Sequence, residues 1–396
     1  MWRPTALACL VALAFGCDGA GGELDAGWPD VQPPVGDTGG DAVRGAVFYE
    51  DRVFDEGGFT GERVERPARG VRVQLWADGA LLAEGFTDDD GGFALARGGL
   101  DAGDAVTVIA RAEAERAGHT VRVADRARRP SVYALEEQGR ADEAFRLIAR
   151  ADAEGGAFNV VDVSVDAFAL YAPFVGEAAP TLTYRWERGR GFDCGSCYGD
   201  DEISLGGGFE DTDEYDDDIV LHELGHYFVD HYGRDTSPAG AHRDRQVEPE
   251  LAYGEGLAYF FAAMITGRPV IVDTFAGSNR VVDLERVLQN GESLDVFRGV
   301  TADGRLREEI VAGVMWDAFD GPSDAEPFDR VALGVEAVMA VLVDHFARWP
   351  FEDRGPSGID LSDYLHALVC VAGVPEEDAA RLAEDRAFPW SPAGCP

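Results

Sequence analysis

The stretch DDDIVLHELGHYFVDHYG, residues 216–233, carries three of the chain's seven histidines within ten positions. Two of them, His222 and His226, stand four apart with Glu223 beside the first. A helix turns about 100° per residue, so positions four apart share a face and two imidazoles can converge on one ion. Neutral imidazole nitrogen suits zinc, which at a catalytic site takes three protein ligands and keeps one position open. Glu223 then points beside the ion, where it can take a proton from a water molecule held there. Ile219, Val220, Leu221, Leu224, Tyr227 and Phe228 are uncharged, so much of such a helix can be buried. Asp216, Asp217 and Asp218 stand at its start, where carboxylates are expected to cap the first turn and favour the helix dipole.

Two histidines do not complete a catalytic zinc site. The extended pattern HExxHxxGxxH fails, because Val229 replaces its glycine and Tyr232 its last histidine. His231 falls one residue short, about 100° from the wanted direction. A glutamate from a second helix is the other common solution, and YGEGLAYFFA offers Glu255, twenty-nine residues after His226. HELGH with a downstream G-E-G-x-x-x-F-F-A resembles the gluzincins, the fungalysin-type and thermolysin-like metallopeptidases. That resemblance spans about residues 160–320 and implies zinc ligands at His222, His226 and Glu255, a general base at Glu223, and a peptide or protein substrate. It also implies that ISLGGG, residues 203–208, is the edge strand that binds substrate backbone.

The sequence departs from that family in one place. Thermolysin-like enzymes carry an aspartate four residues after the ligand glutamate, where it orients a histidine; here that place is Tyr259. Asp217, Asp218 and Asp317 are candidates to replace it. For the group that stabilises the tetrahedral oxyanion the chain offers His345, Tyr364 and His366, with Tyr253, His231 and His242 as outside candidates. The expected function is a zinc-dependent peptidase. The alternative is a surface-anchored binding protein on a peptidase-like zinc domain with weak or no catalysis.

These residues need elements to position them. Residues 43–130 alternate apolar and polar in VRGAVFYE, VRVQLWA and AVTVIARA, with turn signals between, and read as an all-β sandwich. Thr87, Asp88, Gly91 and Phe93 match the T-D-x-x-G-x-F of transthyretin-like, carboxypeptidase-regulatory-like sandwiches, which this region resembles. The same TDDDGG turn and the acidic run 210–218 are candidate calcium sites, although a solvated turn and a solvated loop account for them more simply. From residue 131 the texture changes. EEQGRADEAFRLIARADAEG has helical spacing, TLTYRWERG and DEISLGGG read as strands, and helices fit LAYGEGLAYFFAAMITG, LREEIVAGVMWDAFD, RVALGVEAVMAVLVDHFARW and LSDYLHALVCVAG. Residues 131–396 are therefore expected to form an α+β, zincin-like domain with a mostly helical C-terminal half, in a multidomain chain.

The 396 residues allow two or three domains, and 46% apolar content allows real cores. The formal charge of −40, from 74 acidic against 34 basic residues, argues against nucleic acid as a partner. MWRPTALACLVALAFGC places Arg3 before an apolar run too short to span a bilayer, which reads as an export signal. Its end, LAFGC, resembles a bacterial lipobox with Cys17 as the lipidated residue, despite Ala14 where a branched residue is usual; simple secretion is the alternative. Residues 18–42, rich in Gly, Asp and Pro, read as a flexible tether from a membrane of the cell envelope. Cys9 lies within the signal. The four remaining cysteines suggest the local disulfides Cys194–Cys197 and Cys370–Cys395, with a redox or zinc role for CGSC as the alternative.

Overall fold

The computed structural model describes residues 42–395 apart from 128–131, 239, 244, 276–277, 287, 290–291, 294–304, 323–329 and 348–357. The expected export signal with Cys9 and Cys17, and the tether as far as residue 41, lie outside these residues. A sheet-rich N-terminal region is followed by a helical C-terminal part, a multidomain α+β arrangement.

Nine strands come first: β1 (Ala42–Asp55), β2 (Gly58–Pro67), β3 (Val71–Ala77), β4 (Ala80–Phe86), β5 (Gly92–Ala96), β6 (Ala105–Arg116), β7 (His119–Asp125), β8 (Ala134–Arg140) and β9 (Ala144–Ala149). Strict alternation places Val106, Val108, Ala110, Ala112 and Ala114 of β6 inside, together with Val71, Val73 and Leu75 of β3. β1 is flanked by β2 and β5, both antiparallel, and by β9, parallel to it. β3 pairs with β4 and β6, and β6 with β7 and β8. The TDDDGG turn closes on itself: Asp88 Oδ1 accepts from Asp90 N (3.0 Å) and Gly92 N (2.7 Å). Gly91 has φ of 75°, and a Cβ there would stand 2.5 Å from the Val47 carbonyl oxygen, so glycine is required at that corner.

One expectation fails here. Most of residues 136–155, read as helical, belong to β8 and β9, so strands continue beyond residue 130. β8 pairs along β6 from Ala105 to Arg111, and β9 buries Phe145, Leu147 and Ala149 at every second position. Pairing with preformed neighbours overrides the weak strand propensity of the segment's Glu, Gln and Ala.

The next helix, α1 (Gly155–Tyr171), is buried almost all round. Its polar residues are satisfied from both sides: Asp162 receives Arg69 (2.8 Å) from the turn between β2 and β3 and the Tyr49 hydroxyl (3.0 Å) from β1, and Asn159 donates to Asp217 (3.0 Å). After α1, strand β10 (Leu182–Trp186) joins β7 in parallel, Leu182 opposite Val121 through Trp186 opposite Asp125. β11 (Cys197–Gly199) and β12 (Glu202–Ser204) extend the same sheet, in the order β11-β12-β10-β7-β6-β3-β4. Two long helices follow, α2 (Asp217–Tyr232) and α3 (Pro249–Thr266). A second small sheet holds β13 (Val270–Phe275), β14 (Ser278–Asp283), β15 (Leu288–Gln289) and β16 (Glu292–Ser293). The chain ends in α4 (Glu308–Asp320), α5 (Gly334–Met339) running into a π-helical stretch at Ala340–Phe346, α6 (Leu361–Cys370) and α7 (Glu376–Asp385). One contiguous apolar cluster runs from Val43 to Ala383. Among the described residues no helix is long and apolar enough to cross a membrane.

The acidic run 210–218 is not a solvated loop. Asp213, Glu214, Asp216 and Asp218 are buried, at 4% exposure or less. Nor do the aspartates at the start of α2 cap it with their side chains. Asp216 instead accepts from Thr274 N (2.8 Å) and Oγ1 (2.9 Å), and Asp218 from Val272 N (3.0 Å), tying the helix start to β13.

Candidate metal centre

α2 and α3 cross closely. A Cβ on Gly225 would stand 3.1 Å from the Ala258 Cα, and one on Gly256 would stand 2.5 Å from the Val311 Cβ of α4. The crossing brings His222, Glu223 and His226 of α2 against Glu255 of α3. The Nε2 atoms of both histidines lie 3.3 Å from one oxygen, Glu255 Oε2. A direct charge-assisted hydrogen bond would be about 2.7–2.9 Å. A tetrahedron with bonds of about 2.0–2.1 Å to its centre has edges of about 3.3–3.4 Å. The spacing therefore fits donors around a zinc-sized ion better than donors touching each other. The rings of His222 and His226 stand at 86°, centroids 4.9 Å apart, so their nitrogens converge without stacking.

Burial pushes the His222 imidazole toward its neutral form, the form that ligates. Burial acts the same way on His226, but the adjoining Glu255 carboxylate overrides it and raises that imidazole to about 9. For Glu255, burial is outweighed by the two histidines, which hold the carboxyl well below the usual range.

The three donors and Glu223 line a cavity of about 530 Å³. One wall is the hairpin that carries Cys194, Ser196, Cys197 and Tyr198; the other is the loop from Asp235 to Arg243. Both expected disulfides are formed, Cys194–Cys197 with Cα atoms 6.1 Å apart and Cys370–Cys395 with 5.5 Å, and the first is part of this wall. Residues 203–208 are not the free edge expected of them. β12 is paired on both sides, by β10 and by β11, and Leu205 N and Gly207 N donate to Arg185 and Arg190 carbonyls. The outer strand beside the cavity is β11.

The candidates for orienting a histidine are engaged elsewhere. Asp217 accepts from Asn159, Asp218 from Val272, and Asp317 from Arg386 (2.8 Å). The His222 Nδ1 is buried without a hydrogen-bond partner, and the ring of Tyr259 packs 4.5 Å from the imidazole. The Tyr259 hydroxyl binds Arg280, which also pairs with Glu309 (2.7 Å) and Glu308 (3.4 Å).

The downstream candidates do not line the cavity. Tyr364 is fully buried in α6, and its hydroxyl has no hydrogen-bond partner. His366 faces the Cys370 sulfur at 3.6 Å, and His345 packs on Phe346. Tyr253 is buried against Phe346, and His231 points to Asp201 at 3.5 Å. His242 does line it. Its Nδ1 is 2.6 Å from Oε2 of buried Glu308, and its Nε2 faces Glu255 Oε1 at 3.6 Å. Sequence reasoning left His242 among the outside candidates and missed Glu308. The only signal was a pair of glutamates, Glu308 and Glu309, opening an otherwise apolar helix.

Compared with known proteins, the chain matches no protein-family model and no curated protein.

Proposed function

We propose that the chain is a zinc-dependent peptidase, exported and either lipid-anchored at Cys17 or secreted, of the gluzincin kind that its HELGH and GEG segments resemble. The observation that carries this reading is the pair of 3.3 Å separations from His222 and His226 to a single Glu255 oxygen, with Glu223 in the same cavity. A zinc ion on these three donors supplies a Lewis acid for the scissile carbonyl and acidifies water. Glu223 takes the proton of the attacking water and passes it to the leaving amine. His242, held by Glu308, faces the cavity and takes the oxyanion role that His345, Tyr364 and His366 are not placed for. Substrate backbone pairs with β11, which gives affinity with little side-chain preference.

The test is Glu223→Gln in the purified protein, with casein and short peptides as substrates and a chelator control. The variant is expected to keep the parent's zinc content and lose hydrolysis by at least about a hundredfold. Turnover near the parent's sinks the assignment. A second reading, a binding protein with weak catalysis, is favoured by one observation: the His222 Nδ1 lacks the carboxylate that orients a ligating imidazole. A zinc-replete parent that cleaves none of these substrates supports it.

A further inference from the structure

We infer that Arg280 is a positioning residue that sets two histidines at once, His222 through the ring of Tyr259 and His242 through Glu308. The inference rests on the zinc-peptidase reading above and deepens it. Arg280 stands on β14 at 5% exposure, behind the cavity rather than in its lining. Its two Nη atoms reach different helices. Nη1 donates to the Tyr259 hydroxyl on α3, and Nη2 donates to Glu309 Oε1 (2.7 Å) and Glu308 Oε1 (3.4 Å) at the start of α4. A guanidinium is planar and rigid, so one fork fixes the separation between the tyrosine hydroxyl and the glutamates.

A buried arginine among carboxylates balances charge wherever it lies. Glu308 and Glu309 are each 1% exposed, and Glu309 has a second cation in Arg307 (3.2 Å). What distinguishes Arg280 is what two of its acceptors touch. The Tyr259 ring packs on the His222 imidazole, centroids 4.5 Å apart at 55°. His222 Nδ1 has no hydrogen-bond partner, so the orientation of that imidazole falls to packing, and the tyrosine face supplies it. Glu308, held by Arg280 at Oε1, offers Oε2 to His242 Nδ1 at 2.6 Å, which leaves His242 Nε2 facing the cavity. A ligating imidazole and the imidazole assigned to the oxyanion are thus both referred to one guanidinium that touches neither. Partners that orient the groups of a metal site are worth about 10–100-fold in affinity or activity.

The experiment uses the full chain and Arg280→Lys, which keeps the charge and removes the fork. Zinc affinity is measured by competition with a chromophoric chelator, and kcat and KM on short peptides are measured at saturating zinc. Arg280→Lys is expected to bind zinc about tenfold more weakly and to lose about 10–100-fold in kcat, with KM within about threefold of the parent's. Tyr259→Phe, which cuts the first branch, should weaken zinc more than it lowers kcat. Glu308→Gln, which cuts the second, should lower kcat more than it weakens zinc. Arg280→Met combined with Glu309→Gln, which removes one charge of each sign, repeats the test should Arg280→Lys fold poorly. A lower melting temperature with zinc affinity and kcat at the parent's values is the mark of an ordinary buried ion pair and overturns the proposal. So does a change in only one of the two readouts. A zinc-replete parent that cleaves no peptide sinks the peptidase reading and the His242 branch with it, while zinc affinity in Arg280→Lys and Tyr259→Phe still decides the His222 branch, so the two failures are separate results.

Discussion

Gly256→Ala sets two effects of similar size against each other. Alanine in a helix interior is favoured over glycine by about 0.8–1.0 kcal/mol, so an unobstructed site would gain stability. Gly256 is obstructed. The added Cβ would lie 2.5 Å from the Val311 Cβ and 2.6 Å from the Glu308 carbonyl oxygen, against about 3.5–4.0 Å for ordinary carbon contacts. Val311 is fully buried and β-branched, so it has one good rotamer in a helix, and a backbone oxygen has none to change. The relief must come from moving α4 about 1 Å away from α3. Overpacking of this kind costs typically 1–3 kcal/mol, and the upper half of that range applies where backbone is the obstacle. The net expectation is a loss of about 1–2 kcal/mol and a melting temperature lower by roughly 3–6 °C. Thermal denaturation of the zinc-loaded protein measures it, with Gly176→Ala, where a Cβ meets nothing within 4 Å, as the control for backbone entropy. The same shift carries Glu308 away from His242, whose 2.6 Å bond tolerates little movement, so hydrolysis should fall more than folding alone explains. A Gly256→Ala protein as stable as the parent refutes the tight crossing of α3 and α4.

Glu255→Ala removes one ligand of the candidate set. Structural zinc sites bind with about 10–16 kcal/mol over four ligands, so the loss of one should weaken zinc affinity by roughly 10²–10³-fold, measured by competition with a chromophoric chelator. Burial raises Asp217 to about 7, Asp218 to about 6 and Glu214 to about 7. Carboxyls with a folded pKa above the unfolded one contribute stability that is complete below about pH 4 and lost as pH rises through 6–7. Urea midpoints should therefore fall between pH 5 and about pH 8, and midpoints that rise over that interval count against the buried acidic run. Cys194→Ser frees the hairpin bearing Tyr198, and should raise KM for peptides more than it lowers kcat; unchanged KM would remove β11 from the substrate path.

The group of side chains at the candidate metal centre is more legible in the sequence than its surroundings. HELGH declares itself because a helix fixes the relation of residues four apart, and Glu255 was reachable because its segment also has helical spacing. His242 lies in the irregular loop between α2 and α3, where no periodicity says which way a side chain faces. The acidic run was misread because charge alone predicts solvation; its partners, Thr274, Val272 and Asn159, come from elements 50 to 60 residues away in sequence. Residues 136–155 mislead for the opposite reason. Their composition is weakly helical, and only the long-range registers with β6 and β1 make them strands. β11 is three residues long, too short for any pattern, and its pairing to β12 turns residues 203–208 from an edge into an interior strand.

The parallel pairing of β10 with β7 has a mechanical consequence. One backbone ladder runs from β4 through β3, β6, β7 and β10 to β12 and β11, so this part of the N-terminal strand region is a handle welded to the wall of the candidate metal centre rather than a bead on a string. A fragment cut near residue 150 would lose β7 and leave β10 with a raw flank, and it should be expected to aggregate rather than work. Whatever grips β4 at one end of that sheet also pulls on β11, which walls the cavity at the other.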